Sequence, residues 1–446
     1  PGGGMMGGQG GSIMGGAQQG GSSFRELELP EEIEALVKPN FQPTPISHPV
    51  QISSHKAITE SQAVACYASA SGLNLGEFIL GFDVGGSTTD LLAVTGLSSL
   101  GAGASALVKQ NSVRLAAGIL ADSTKFIPGF NLFLKDFAIQ KIGKIYGIDS
   151  ITPNTSPYFF NLVLDRLERS EDLDDFYLKI ASSSKPLMWL NLYITGLNLF
   201  YGGMVARKLR DLTERNIRIF GRELYKIKIE FYGKGARIFD WYKALDIQNA
   251  QNYFIQCFAK GYGEQEAYST FNQIGTFELS NFSYLKPIVS DNVKTEVAKG
   301  LAIKDFPVFE FLSQEEIAGE DGYSIRIQGQ QQPIPLGALM NVNASLIQRL
   351  GSELLPPQPG PNAYPRFVSF MNTFFDFATQ TLDFKADGSE VMRAITSMNI
   401  LNDLRNDEDY KEALKNGKDF DFVAPLIILQ GQAFLRSYLL PKIQRG

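Results

Sequence analysis

Cysteine and histidine are nearly missing from this chain: Cys66 and Cys257 are its only thiols, and His48 and His55 its only imidazoles. Two cysteines cannot build a disulfide framework, and so few soft ligands leave no zinc site to propose. An excess of positive charge is lacking too. Lys and Arg number 41 against 47 Asp and Glu, a net charge of −6, which argues against a nucleic-acid binder. The basic clusters at Arg207-Lys208-Leu209-Arg210 and from Arg215 to Arg222 read as a solvated helix face. The Gly-rich leader has neither a basic n-region nor an apolar h-region, so no signal peptide is read and a bacterial cytoplasmic protein is expected. One run, Pro186 to Ala206, carries no charge and is long enough to cross a bilayer. Asn191, Thr195, Asn198 and three glycines interrupt it, so it is read as a buried helix followed by a turn and not as a membrane span.

What the chain does have is Phe82-Asp83-Val84-Gly85-Gly86-Ser87-Thr88-Thr89-Asp90, a strand running into an acid, two glycines and three hydroxyls. Residues 78–82 predict a buried strand, and Leu91-Leu92-Ala93-Val94 its hairpin partner. Glycines let a backbone approach a ligand closely, and successive N–H groups can form an anion-binding concavity. An Asp at a strand end suits hydrated Mg²⁺, which takes one or two carboxylates plus waters. An ordinary Gly-rich hairpin is the plain alternative.

At 446 residues there is ample material for a core and for two or three domains. Residues 1–23 are low complexity and read as a flexible tail. Residues 24–36 predict an extended stretch and a short acidic helix starting at Pro30, and Pro39, Pro43, Pro45 and Pro49 keep the chain extended after it. Residues 59–70 form a predicted helix of small side chains beginning at Thr59-Glu60. Residues 119–225 read as mostly helical, with the acidic stretch Glu168 to Asp175 as a solvated loop. Ile229 to Ile238 reads strand, glycine turn, helix, and Asp291 to Ala302 a second small-residue helix. Further on, 323–336 predicts a hairpin, 366–382 an aromatic helix and 426–440 a last helix. Both helices are read as core or partner-docking elements.

The order hinge helix, phosphate hairpin, nucleoside turn, hinge helix resembles the second lobe of the actin, heat-shock-chaperone and sugar-kinase ATPase superfamily. Within it, the likeness is closest to the seventy-kilodalton heat-shock chaperone branch. Lys109 to Ser112 leading into Leu115-Ala116-Ala117-Gly118 is similar to that branch's third strand and Gly turn, and the predicted helix Leu199 to Leu212 sits where the family has the helix before its adenosine strand. The likeness covers residues 45–305.

It implies an α/β, ribonuclease-H-like lobe with a mixed sheet over 24–305, an insertion at 239–290, and a mostly helical C-terminal extension over 306–446. It implies ATP and Mg²⁺ as ligands, with Asp83 on the metal and as a catalytic residue, and Glu60 as the hinge acid near the attacking water. Gly85, Gly86, Ser87, Thr88 and Thr89 would hold phosphates, and Gly233, Lys234, Gly235 and Arg237 the nucleoside. Lys234 departs from the family pattern, where a second glycine is usual. Nothing in 24–58 reads as the Asp-Gly hairpin of a first lobe: if another polypeptide or a missing segment supplies that lobe the ATPase is split, and if none does catalysis is expected to be crippled.

The reading is an ATP-driven conformational switch acting on a protein partner or through self-assembly, without nucleic acid. The rivals are a degenerate actin-like interaction module without turnover, and a small-metabolite kinase of the same fold, for which no catalytic base stands out.

Overall fold

The computed structural model describes residues 63–67, 77–96, 105–143, 147–167, 170–220, 226–233, 235–238, 241, 247–263, 295–302, 323–327, 334–336, 338–339, 341–343, 350–355, 365–385, 389, 408–416 and 423–444. Alternation decides the first strand, β1 (Glu77–Val84): Leu80, Phe82 and Val84 enter the main core, while Asp83 takes the other face with Ile79 and Gly81. β1 pairs antiparallel with β2 (Thr89–Gly96), and β2 antiparallel with β3 (Ser105–Val113). On the other edge of β1 lies β4 (Lys226–Tyr232), parallel to it, so the order is β3-β2-β1-β4. The chain is α/β with a mixed four-stranded sheet, as expected.

A parallel pair needs a crossover, and between β3 and β4 the chain supplies helices Gly118–Ser123, Phe130–Lys141, Ser156–Arg166, Ser170–Ser183 and Lys185–Phe220. Of the acidic stretch expected as a loop, residues 170–175 belong to the helix Ser170–Ser183, whose first turn carries Glu171 and Asp172, where negative charge favours a helix, while 168–169 lie outside the described residues. Lys141 ties that helix to the helix Phe130–Lys141 through Asp172 (3.0 Å) and Asp175 (2.9 Å). The hydrogen bond from Lys141 holds the Asp175 carboxyl below its usual range.

The uncharged run is the buried first half of the long helix Lys185–Phe220. Its polar side chains are bonded inward: Asn191 Nδ2 donates to Ile238 O (2.7 Å), Thr195 Oγ1 to Asn191 O (2.8 Å) and Asn198 Nδ2 to Leu115 O (3.2 Å). Among the described residues no helix is long and apolar enough to cross a membrane. The turn expected at its end does not form, because Gly202 and Gly203 serve packing. A Cβ at Gly202 would lie 2.6 Å from the Phe82 ring, and one at Gly203 would run into the Phe258 carbonyl. The helix Ile247–Tyr262, inside the expected insertion, returns the contact, since a Cβ at Gly261 would run into Phe200 O.

The same hydrophobic core takes in both C-terminal helices. In the helix Pro365–Leu382, Phe370 and Phe374 lie 5.5 and 5.3 Å from the Tyr193 ring. In the helix Leu426–Phe434, Gly431 O accepts from Tyr193 Oη (2.8 Å), and Phe434 lies 6.0 Å from the same ring. The expected hairpin pairs β5 (Tyr323–Ile327) with β6 (Ile334–Leu336), and β8 (Leu350–Leu355) joins it on the other side of β5. β7 (Asn341–Asn343) pairs with β9 (Val423–Pro425), directly before the helix Leu426–Phe434.

Alanine normally favours a helix over glycine by about 1 kcal/mol. At Gly261 the new methyl must push two helix backbones apart, and overpacking of this kind costs about 1–3 kcal/mol. Gly261→Ala is therefore expected to lower the urea unfolding midpoint. A raised midpoint would mean that the two helices do not touch there.

Candidate functional site

The turn between β1 and β2 is closed by Gly85 N–H donating to Thr88 O (2.8 Å). Its other bonds come from the loop after β3: Ala117 N–H donates to Gly85 O (3.3 Å) and Gly118 N–H to Gly86 O (2.7 Å). A trans peptide is planar, with C=O and N–H on opposite sides, and no cis bond is present among the described residues. Holding the two carbonyls against the loop therefore turns the N–H groups of Gly86 and Ser87 away from it. Both residues are exposed, and among the described residues neither N–H has a hydrogen-bond partner. Two adjacent, outward donors of this kind could accept an anion.

The two glycines differ in what the fold asks of them. Neither has positive φ. A Cβ at Gly85 would sit 3.1 Å from Thr88 O, whereas a Cβ at Gly86 would meet nothing within 4 Å. Packing leaves residue 86 unconstrained, so a methyl group would be accommodated there.

Asp83 lies half-buried at the end of β1, directly opposite Asp90 on β2 and beside Tyr232 on β4. Directly opposed residues share a face, with Cβ atoms about 4.5–5.5 Å apart, and like charges so placed repel. A hydrated divalent cation between them would remove that repulsion and accept both carboxylates. Sequence reasoning named Asp83 and missed Asp90. The signal was present, because a two-residue turn at Gly86-Ser87 pairs 83 with 90. Among the described residues no group of three or more His, Cys, Asp or Glu side chains converges as a metal cluster.

The second glycine turn backs onto the first. A Cβ at Gly235 would lie 2.5 Å from Val84 O and 2.6 Å from Gly85 O. Gly233 holds φ +79°, and a Cβ there would run into Asp83 Oδ1 and Val84 O. The expected helix after it is a 3₁₀ turn over 235–238. Arg237 Nη1 donates to Leu164 O (3.4 Å) in the helix Ser156–Arg166. Lys234 lies outside the described residues, as does Glu60.

Thr89 is fully buried and its hydroxyl donates to Leu115 O (2.8 Å), so the hydroxyls left at the turn are those of Ser87 and Thr88. On the face of the sheet that carries Asp83, the helical stretch 63–67 meets the helix Thr295–Leu301. A Cβ at Gly300 would run into Ala63 O, and the Lys299 ammonium lies 5.6 Å over the Tyr67 ring. Val64 and Ala65 pack on Leu92, Val94 and Tyr232 of the sheet. Thus the described parts of both small-residue helices meet on the face of the sheet that carries Asp83, and the hairpin and the second glycine turn meet at one end of that sheet. Cys66 and Cys257 are both buried and unbridged, and burial raises the Cys257 thiol well above its ordinary pKa, which removes it as a nucleophile.

No protein-family model matches the chain, and no curated protein or solved structure matches it.

The geometry separates two glycines that look alike in sequence. Alanine at Gly118 would drive a methyl into Gly86 O and is expected to cost about 1–3 kcal/mol in urea unfolding. Alanine at Gly86 should change stability by less than about 0.5 kcal/mol. Equal effects at the two positions would mean that the turn is not seated on residues 117–118.

Proposed function

We propose that this chain binds Mg·ATP at the β1–β2 turn, as the nucleotide-holding lobe of an actin-like or chaperone-like ATPase. The observation that carries the reading is the pair of outward N–H groups at Gly86 and Ser87, fixed through the carbonyls of Gly85 and Gly86 and set beside Asp83. Donors fixed before the ligand arrives need no reorganisation to stabilise phosphate charge. Gly85, Gly86, Ser87 and the Thr88 hydroxyl would hold the β- and γ-phosphates. Asp83, aided by Asp90, would hold the hydrated Mg²⁺ that offsets the charge of the transferring group. The close fit of Gly233 and Gly235 against the hairpin sets that turn beside the phosphate turn, in keeping with the nucleoside role that the resemblance implies for it; by the same resemblance Lys234 would serve the nucleoside and Glu60 the attacking water. The meeting of the two small-residue helices supports a hinge, so that nucleotide binding and slow hydrolysis would move a partner or an assembly. The charge facing Asp83 across the γ-phosphate would come from a separate first lobe.

One observation favours a second reading. Arg237 donates to Leu164 O, a bond it would have to give up to stack on a base. A module that grips phosphate but recognises the base poorly would bind a partner and turn over little.

The test is calorimetric titration of Mg·ATP into the chain and its Asp83→Ala variant, followed by single-turnover hydrolysis. Binding by the parent and a loss of at least about tenfold in the variant are expected, since one metal-holding carboxylate is removed. Turnover by the chain alone should be slow. Equal affinity of parent and variant would sink the assignment, and brisk turnover would remove the need for a second lobe.

A further inference from the structure

We propose that Asn198 and Gln432, together with Thr89, are positioning residues for the anion-facing turn, acting through the loop Arg114–Ala117. This loop has two edges. One edge carries the N–H groups of Ala117 and, at the next residue, Gly118, which hold Gly85 O and Gly86 O and so set the direction of the Gly86 and Ser87 amides. The other edge carries the carbonyls of Arg114 and Leu115. Gln432 Nε2 donates to Arg114 O (2.8 Å), while Thr89 Oγ1 (2.8 Å) and Asn198 Nδ2 (3.2 Å) both donate to Leu115 O.

The three donors come from three separate elements: β2, the long helix Lys185–Phe220 and the C-terminal helix Leu426–Phe434. All three side chains are buried, where a hydrogen bond is strong and its loss loosens the loop: Arg114 O loses this donor without Gln432, and Leu115 O keeps one of two without Thr89 or Asn198. Asn198 and Gln432 also stand in otherwise apolar stretches, Leu197 to Tyr201 and Leu426 to Leu435, apart from Gln430. An apolar side chain at either place would pack the core as well, so packing alone gives no reason for an amide there.

The consequence is directional. If the loop shifts, Gly85 O and Gly86 O lose their donors, the two peptide planes are free to rotate, and the outward amides no longer converge. The seat of the C-terminal helix thus sets the geometry of a turn more than 300 residues before it in sequence.

The geometry stands without a ligand, while the effect on affinity rests on the nucleotide reading above. The test therefore has two arms, both on the full chain. The variants are Gln432→Met and Thr89→Val, near-isosteric changes that remove one donor each, with Thr89→Ser as the conservative control. In ligand-free protein, exchange of the hydrogen-bonded amides of Gly85, Leu115, Ala117 and Gly118 is expected to quicken by about tenfold in the first two variants and to stay near the parent rate in Thr89→Ser, with no matching change in β4. In the second arm, Mg·ATP affinity should fall roughly tenfold in the first two and recover in Thr89→Ser.

Unchanged exchange in Thr89→Val would overturn the proposal, as would faster local exchange with unchanged affinity. Exchange that quickens evenly across the chain would reduce these residues to ordinary core stability and also overturn it. If the parent binds no Mg·ATP but the local exchange effect appears, the brace stands and the nucleotide reading falls.

Discussion

Peptide planarity is the constraint on which the candidate site depends. An N–H group cannot be pointed at a ligand by itself. It is pointed by fixing the carbonyl of the same peptide unit on the opposite side. Here Ala117 and Gly118 do this for two successive peptides, at 3.3 and 2.7 Å. The rest of the sheet end is arranged around that pair of bonds. Gly118 can donate at that distance because it has no Cβ to collide with Gly86 O, and Gly235 can lie behind the turn for the same reason. The turn is thus clasped on two sides by backbone, leaving Gly86 and Ser87 exposed.

Such a clasp holds only if the elements that carry it cannot drift, and the core supplies that rigidity. Gly202 lets the long helix settle onto Phe82, which stacks on Phe231 at 5.4 Å, so β1 and β4 are packed from one face as a unit. Gly203 and Gly261 bring the helix Ile247–Tyr262 close against the same long helix. The aromatic helix Pro365–Leu382 and the helix Leu426–Phe434 then close over Tyr193. The C-terminal elements are part of what holds the sheet, because their phenylalanines and those of the sheet share one core.

Local signals in the sequence were enough for the sheet and the hairpin. The continuous apolar runs 78–82 and 91–94 marked β1 and β2, and the glycines after Asp83 and Tyr232 marked the two turns that meet. The small residues of 63–67 and 295–302 marked helices that touch through backbone. What the sequence hid was decided by distant partners. The Glu168–Asp175 region read as a loop because its charge was visible and Lys141 was not. Gly202-Gly203 read as a turn because nothing local shows that Phe82 and Phe258 will use those glycines for contact. The hydroxyl of Thr89 stood in line with those of Ser87 and Thr88, yet strand alternation from Asp90 turns it inward to Leu115 O. Arg237 read as a ligand residue because the helix carbonyl that accepts from it, Leu164 O, lies far away in sequence. Gln432 carried no signal at all, since its partner is separated from it by most of the chain.

The charges around the turn also restrict what form of anion it can accept. The amides of Gly86 and Ser87 attract negative charge, but Asp83 and Asp90 stand opposite each other at the root of the same hairpin. A free polyphosphate would gain from the amides and lose to the two acids, and at such short range the repulsion is not screened by salt. A divalent cation reverses the second effect, since it is attracted to both carboxylates and to the phosphate oxygens together. On the reading proposed above, Mg·ATP would therefore be favoured over the free nucleotide. The half-burial of Asp83 strengthens this preference, because moving it from water makes its interaction with each neighbouring charge larger.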